Sequence, residues 1–307
     1  MKLLIAFFRL VRWPNLVFIA LTQSLFYYCI IVPLLPKDYI FTQRLFFLLV
    51  TASVLIAAGG YIINDYFDIN IDQVNKPGKM VVEKIINRRW AILLHLMITT
   101  IGVGISLYVS LKTNIIVIIA NITCTLLLWF YSTTFKKKLL SGNIMISALT
   151  AWTVFVLYFT AVNSRQGIFP AMHSIYKLAA LYAGFAFIIS LIREVVKDIE
   201  DMEGDAKYDC KTIPIVWGVP AAKVFVGVWL VVLIGALAVV QFYVLFVLQT
   251  ACWGAVYCIL FVILPLLWIL KFFYMAQTSA QFHQLSLIIK MVMLTGVLSM
   301  FFFKLSA

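Results

Sequence analysis

The sequence predicts an all-α, polytopic membrane protein in which nine transmembrane helices form one bundle. Of its 307 residues, 64% are hydrophobic and only 12% are charged, about half the charged fraction of a soluble domain. Residues without formal charge also run together in stretches of about 20, the length that an α-helix needs to cross the hydrocarbon core of a bilayer. No low-complexity segment or Pro/Ser-rich linker interrupts them, so we treat 1–307 as a single membrane domain.

The spans can be placed in order from these stretches. The chain starts with Met1-Lys2-Leu3 and lacks a small-residue cleavage site, so we expect the first span to be retained. The sixth stretch is too short alone, so its helix should run on into an acidic segment. The next stretch is long enough for two spans, with a turn near Gln249-Thr250, and the ninth span should cover roughly 284–303. The charge-free stretches are 13–36, 45–64, 90–111, 113–135, 139–164, 178–192, 224–270 and, past Lys290, 291–303.

Two acidic triplets with the same internal spacing hold half of the 12 acidic residues. Offsets of three and four place the carboxylates of a triplet on one face of a helix, about 5–6 Å apart. Carboxylates that close repel by about 3 kcal/mol per pair at an effective dielectric constant of about 20, so a cation should bind among them. The triplets are Asp65, Asp68 and Asp72, and Asp198, Asp201 and Asp205. Their places, at 64–72 and 198–205, suggest a pseudo-repeat of two halves.

Lysines lie beside both triplets, and this mixture indicates the ligand. Carboxylates suit Mg²⁺, which binds proteins through one or two carboxylates plus substrate phosphates. Lysines suit phosphate, so the combination favours a Mg²⁺–diphosphate complex. Glu200 and Glu203 fall off the acidic stripe and should face solvent. The lysines concerned are Lys76, Lys79, Lys197, Lys207 and Lys211.

Sidedness follows from the helix count. The first triplet follows the second span and the other follows the sixth, so four crossings separate them and both emerge on one face. Most of the Lys and Arg residues near span ends fall on that face. By the positive-inside rule, the N-terminus and both triplets are cytoplasmic.

Four segments of the chain together resemble the UbiA-type intramembrane prenyltransferases. The match extends over essentially the whole chain, and two signatures lie at matching places. One departure is that Lys76 and Lys79 stand where many members have arginines, and Met80 stands where they have a proline. The segments are Asn64–Asp72 with Asn75–Lys79, Arg193–Asp205, Tyr131–Lys136 with Gly142-Asn143, and Arg12–Asn15.

The resemblance implies a central cavity, open to the cytoplasm, in which Mg²⁺ and a polyprenyl diphosphate bind and a lipophilic acceptor is prenylated. The carboxylates so implied for Mg²⁺ and catalysis are Asp68, Asp72, Asp201 and Asp205, supported by Asp65 and Asp198. Residues expected at the diphosphate are Asn64, Lys76, Lys79, Tyr131, Lys136, Arg193, Lys197, Lys207 and Lys211. Residues expected on the acceptor side are Arg12, Asn15, Asn143 and Lys290. Lys290 lies inside the ninth span, where it could equally snorkel to the interface or face the cavity.

The sequence leaves the identity of the acceptor open, and it also leaves two other protein classes as alternatives. The Arg193–Asp205 segment is most similar to the branch that prenylates the hydroxyl of geranylgeranylglyceryl phosphate, while other branches prenylate aromatic rings in quinone, haem or chlorophyll biosynthesis. CDP-alcohol phosphotransferases also use paired aspartates at a membrane face, but within one contiguous motif. Divalent-cation transporters place their acids near the bilayer midplane. The expected ligands are membrane lipids and the two substrates, and not nucleic acid; the sequence gives no basis for inferring a protein partner.

Overall fold

The computed structural model describes residues 2–36, 41–75, 78, 80–162, 170–248 and 252–306. Within these ranges the chain is helical, contains no strand, and has nine helices that are long and apolar enough to cross a membrane. The all-α, nine-span prediction is therefore confirmed. The short helix α1 (Lys2–Leu10) precedes the spans. The spans are α2 (Trp13–Leu34), α3 (Gln43–Phe67), α5 (Arg88–Lys112), α6 (Ile115–Thr133), α7 (Ser141–Ala161), α8 (Pro170–Glu200), α11 (Gly218–Phe246), α12 (Trp253–Met275) and α13 (Ser279–Phe303).

Several spans extend a few residues past the charge-free stretches of the sequence. Helix α8 does run from the membrane into the second acidic segment, as its short apolar stretch required. Helix α13 begins at Ser279, before the expected 284, because Thr278 caps it through a capping box with Gln281. The turn expected near Gln249-Thr250 lies outside the described residues.

Each acidic triplet is broken at its middle aspartate, which corrects the prediction of one continuous helical face. Helix α3 ends at Phe67, Asp68 has φ −88° and ψ 2°, and the short helix α4 (Ile69–Asn75) follows. Helix α8 ends at Glu200, Asp201 has φ −93° and ψ 5°, and α9 (Met202–Lys207) follows. The third aspartate of each triplet therefore lies on a separate short helix. A further short helix, α10 (Ile213–Val216), leads into α11.

Small residues bring α3 and α5 into close contact. Gly102 on α5 faces α3 so closely that an added Cβ would lie 3.1 Å from Ile56 Cγ1 and from Leu55 Cβ, and 3.3 Å from the backbone oxygen of Ala52. Small side chains at helix interfaces are what allow such close approach in membranes. This packing sets the position of α3, whose last turns lead into the first acidic triplet.

We expect Gly102→Leu to destabilise the protein because the added side chain has no space against α3. The cost of overpacking is about 1–3 kcal/mol, which should appear as a lower thermal midpoint of the purified protein in detergent. Gly104→Leu is the matched control: it lies on the same helix, is exposed, and has open space around its Cα. Equal midpoints for the two variants would contradict this packing.

Candidate active site

A single cavity of about 1030 Å³ brings the two acidic motifs together. One end is polar, while the walls towards the other end include Phe18, Trp152 and Met293. Ser279 at the start of α13 donates a hydrogen bond to the backbone oxygen of Glu200, so Met300 lies about 30 Å along α13 from the motif level. Of the site residues expected from the sequence, those that line the cavity are Arg12, Asn15, Asn64, Asp65, Asp68, Asp72, Tyr131, Lys136, Arg193, Lys197, Asp198, Asp201, Asp205 and Lys290.

Asn75 ties the two motif loops to each other. Its side-chain nitrogen donates to the backbone oxygen of Asp201 at 3.1 Å, and its side-chain oxygen accepts from the backbone nitrogen of Gly204 at 3.0 Å. The approach is possible because residue 204 is glycine: an added Cβ would lie 2.2 Å from the Asn75 side-chain oxygen. Asn75 belongs to the Asn75–Lys79 segment of the first motif, but the sequence alone indicated no role for it.

Asp68 is the most buried of the six motif aspartates. It is 3% exposed, accepts a hydrogen bond from the Asn64 side chain at 2.6 Å, and forms an ion pair with Lys136. Asn64, which the sequence placed at the diphosphate, thus contacts a motif carboxylate. Burial lowers the pKa of the Lys136 ammonium, but the Asp68 carboxylate outweighs it, so this pKa lies above its ordinary value and Lys136 is charged.

The loop that carries Lys136 depends on a glycine. Lys136 lies in a single 3₁₀ turn, Phe135–Lys137, between α6 and α7. Gly142, at the start of α7, lies so close to this turn that a Cβ would be 2.9 Å from the Phe135 backbone oxygen and 3.1 Å from the Lys136 Cα. The next residue, Asn143, donates to Asp198 at 2.8 Å. The segment 135–143 therefore contacts both acidic clusters, and Asn143 lies beside the second of them.

Arg12 and Asp65 form an ion pair at 2.7 Å, which sequence reasoning did not anticipate. Arg12 has a left-handed backbone conformation with φ 51°, at the break between α1 and α2, and its guanidinium lies 5.2 Å from the centre of the Tyr61 ring. Tyr61 itself lines the cavity and was missed, since an isolated tyrosine in an apolar span carries no sequence signal.

Glu194 is a second cavity residue that was missed. It contacts Arg193 at 3.3 Å and Lys197 at 3.2 Å, and its side chain is 16% exposed. Lys290 donates a 2.6 Å hydrogen bond to the Asn15 side-chain oxygen, which decides between the two open alternatives: it faces the cavity. These groups lie on α2, α8 and α13.

Two lysines lie away from the cavity, and one expectation about the glutamates is wrong. Neither Lys207, which pairs with the exposed Glu203, nor Lys211 lines the cavity, so their contact with the diphosphate stays a prediction. Glu200 does not face solvent: it contacts His283 at 2.7 Å, and its side chain is 13% exposed. Lys76 and Lys79 lie outside the described residues.

The residues present fit a bound Mg²⁺ ion. The Asn64 side-chain oxygen is buried and has no hydrogen-bond partner within the described part of the chain, and it lies beside the Asp68 carboxylate. Hard oxygen donors are the ligands that Mg²⁺ prefers. Among the described residues, no three His, Cys, Asp or Glu side chains converge as a closed metal site. An ion that takes some of its ligands from substrate phosphates does not need such a cage.

Two curated relatives are digeranylgeranylglyceryl phosphate synthases from archaea. The enzyme from Methanosphaera stadtmanae is 28% identical over 249 residues, which is 80% of this chain and 83% of the relative. The enzyme from Thermococcus gammatolerans is 37% identical over 161 residues, so the aligned part spans about half (52%) of each protein.

Solved structures with the same fold cover nearly the whole chain. A structure described for a digeranylgeranylglyceryl phosphate synthase superposes with a TM-score of 0.62 at 22% identity, covering 98% of this chain and 99% of that one. A UbiA homologue from Archaeoglobus fulgidus, bound to DMAPP and Mg²⁺, superposes with a TM-score of 0.58 at 14% identity, covering 96% and 98%. Both likenesses concern the fold.

The family model described as the UbiA prenyltransferase family matches residues 11–294, nearly the entire described bundle. This match agrees with the nine spans, and with the meeting of two acidic motifs at the polar end of one cavity. The chain belongs to the UbiA prenyltransferase family.

Proposed function

We propose that this chain transfers an isoprenyl group from an allylic polyprenyl diphosphate to the hydroxyl of geranylgeranylglyceryl phosphate and releases diphosphate. One observation carries the proposal: both acidic motifs and several cations line the polar end of a cavity whose remaining walls are largely apolar. A diphosphate headgroup with a hydrocarbon tail has the same division into two parts. A cation transporter would not need the long apolar part, and a CDP-alcohol phosphotransferase would carry its acids in one contiguous motif.

The chain's own residues bind and orient the donor. Lys136 offers a charged ammonium to the diphosphate, and Asp68 holds that ammonium in place. Asn75 keeps the second motif beside the first, so carboxylates of both motifs approach one headgroup. Mg²⁺, held by carboxylates of Asp68, Asp72, Asp201 and Asp205 with Asn64 in support, would supply charge stabilisation for the leaving diphosphate. Groups positioned in advance at the developing charge are commonly the largest contribution to catalysis.

The cavity walls protect the reacting carbon. As the bond from C1 of the isoprenyl chain to the diphosphate oxygen breaks, an allylic cation develops. The acceptor hydroxyl forms the new ether bond, and its proton passes to the departing diphosphate. Water would compete for the same carbon, so the site must exclude it. Tyr61, Tyr131 and Phe185 line the cavity, and aromatic faces favour a cation by about 0.5–2 kcal/mol each.

The acceptor and the orientation of the protein rest on separate support. The two archaeal relatives are named for a product that carries two geranylgeranyl groups on glyceryl phosphate, and the Arg193–Asp205 segment is of that branch's type. The excess of Lys and Arg on the motif face supports a cytoplasmic N-terminus and a cavity that opens to the cytoplasm. We also infer a single domain formed by two related halves, because both motif helices break at the same place in their triplets.

The acceptor assignment predicts which substrates react. Purified protein with geranylgeranyl diphosphate and Mg²⁺ should prenylate geranylgeranylglyceryl phosphate at least ~100-fold faster than 4-hydroxybenzoate. EDTA should stop the release of diphosphate, and excess Mg²⁺ should restore it. Labelled donor and chromatography of the lipid products provide the measurement. Prenylated 4-hydroxybenzoate as the main product would replace this acceptor with an aromatic one.

The two middle aspartates should be essential. We expect Asp68→Asn and Asp201→Asn each to lower kcat by about 10²–10³-fold, because each removes a charge that holds the headgroup complex. The control is Glu203→Gln, in the same segment as Asp201 but with a side chain that is 84% exposed, and it should keep wild-type rates. A thermal midpoint close to that of the wild type would show that the aspartate variants are folded. Wild-type turnover in either aspartate variant would remove that residue from the site.

Asn75 should act as a positioning residue. We expect Asn75→Ala to raise the Mg²⁺ concentration needed for half-maximal activity by about 10–100-fold, because the second motif is no longer held against the first. Asn70→Ala is the matched control, an exposed asparagine on the same short helix α4. If both variants required the same Mg²⁺ concentration as the wild type, the link through Asn75 would have no part in the site.

A further inference from the structure

Lys290 is an ionisable residue inside a membrane span that faces the cavity. Its ammonium donates to the neutral side chain of Asn15 at 2.6 Å, and within the described residues no carboxylate lies within ion-pair distance of it. A charge in the hydrocarbon region is costly, and such residues commonly mark a site of function. The Asn15 oxygen supplies only part of what a buried ammonium needs, since it carries no charge.

Arg193 lies near Lys290 and adds a second positive charge. Its Nε donates to the backbone oxygen of Ser286, one turn before Lys290 on α13, and its Nη1 contacts Glu194 at 3.3 Å. Lys290 and Arg193 both line the cavity. Glu194 also contacts Lys197, so one carboxylate is shared between two cations. Like charges facing one cavity are stabilised when an anion binds between them.

We propose that Lys290 and Arg193 bind the phosphate group of the acceptor lipid, in a second anion site separate from the one that holds the donor's diphosphate. This inference rests on the proposed function. It moves Arg193 from the diphosphate, where the sequence placed it, to the acceptor.

The position of Arg193 along α8 supports a separate site. At 1.5 Å per residue, Arg193 precedes Asp198 by about 8 Å and Asp201 by about 12 Å, towards the membrane interior. A diphosphate held by the motif carboxylates would lie at the end of α8, beyond reach of Lys290. The acceptor hydroxyl must come within about 3–3.5 Å of the donor's C1, which lies on the membrane side of the diphosphate. A phosphate a few bonds from that hydroxyl would then lie near Arg193 and Lys290.

The charges favour a phosphate monoester over a carboxylate. A phosphate monoester carries up to two negative charges and three oxygen acceptors, which match an arginine fork and an ammonium together. An aromatic carboxylate carries one negative charge and would leave one of the two cations uncompensated. The structure therefore links this cation pair to a phosphorylated lipid acceptor.

Lys290→Gln separates a binding role from a structural one. Glutamine can still donate a hydrogen bond to Asn15, so the link between α13 and α2 is kept while the charge is lost. Affinity should be measured by titrating lipid into the purified protein without donor or Mg²⁺ and following the thermal midpoint. We expect the variant to bind geranylgeranylglyceryl phosphate about 10–100-fold more weakly than the wild type, and Lys290→Arg to bind close to the wild type.

Three controls complete the experiment. Lys271→Gln removes an exposed lysine from α12 and should leave the affinity unchanged. Geranylgeranylglycerol, which lacks the phosphate, should bind the wild type and Lys290→Gln equally weakly. 4-Hydroxybenzoate is tested as a ligand that carries a carboxylate in place of the phosphate, and its binding should not depend on Lys290.

The results distinguish this inference from the proposed function. If the wild type binds the phosphorylated and unphosphorylated lipids equally, or if Lys290→Gln binds the phosphorylated lipid as the wild type does, the anion site is overturned whether or not prenyl transfer occurs. A dependence of 4-hydroxybenzoate binding on Lys290 would assign the site to a carboxylate and overturn the phosphate. Lys290-dependent binding of the phosphorylated lipid without prenyl transfer would support the site while removing the proposed reaction.

Discussion

The hydrogen bonds of Asn75 to the second motif loop are the interaction on which the site depends. Each acidic triplet alone is a charged helix end, and the two come from segments far apart in the chain. Asn75 bonds to backbone groups of Asp201 and Gly204, so it holds the loop itself and does not compete for the carboxylates. The carboxylates of both motifs are thereby left to face one cavity, as binding of a shared headgroup requires.

Charge in this cavity is arranged in matched and unmatched groups. Asp68 with Lys136, and Asp65 with Arg12, are pairs whose charges offset each other at the polar end. Buried pairs of this kind contribute little net stability, because desolvation offsets their attraction. Their value lies in fixing charged groups before a ligand arrives. Lys290, whose hydrogen-bond partner is the neutral side chain of Asn15, is where a negative charge of the substrate can be bound.

The sequence predictions succeeded where a property depends on residues nearby in the chain, and failed where it depends on contacts between distant segments. Hydropathy placed the nine spans, and the charge-free stretches even indicated that α8 runs into the second motif. Helical periodicity failed at Asp68 and Asp201, because it assumes a continuous helix and cannot detect a break. For the same reason it placed Glu200 in solvent. Glu194, Tyr61 and Asn75 were missed as site residues because their roles come from contacts with distant segments.

The sequence by itself determined that the protein lies in a membrane, how many spans it has and in which order, and that its site is built from carboxylates and cations. These properties depend on composition and on neighbours within a turn or two of helix. Only the tertiary structure decided which charges meet: Lys136 with Asp68, Arg12 with Asp65, and Lys290 with Asn15. Those partners lie on different elements, and their meeting depends on how helices pack at positions such as Gly102 and Gly142. Packing of that kind is a property of surfaces in contact, and a linear pattern of residues does not encode which surfaces those are.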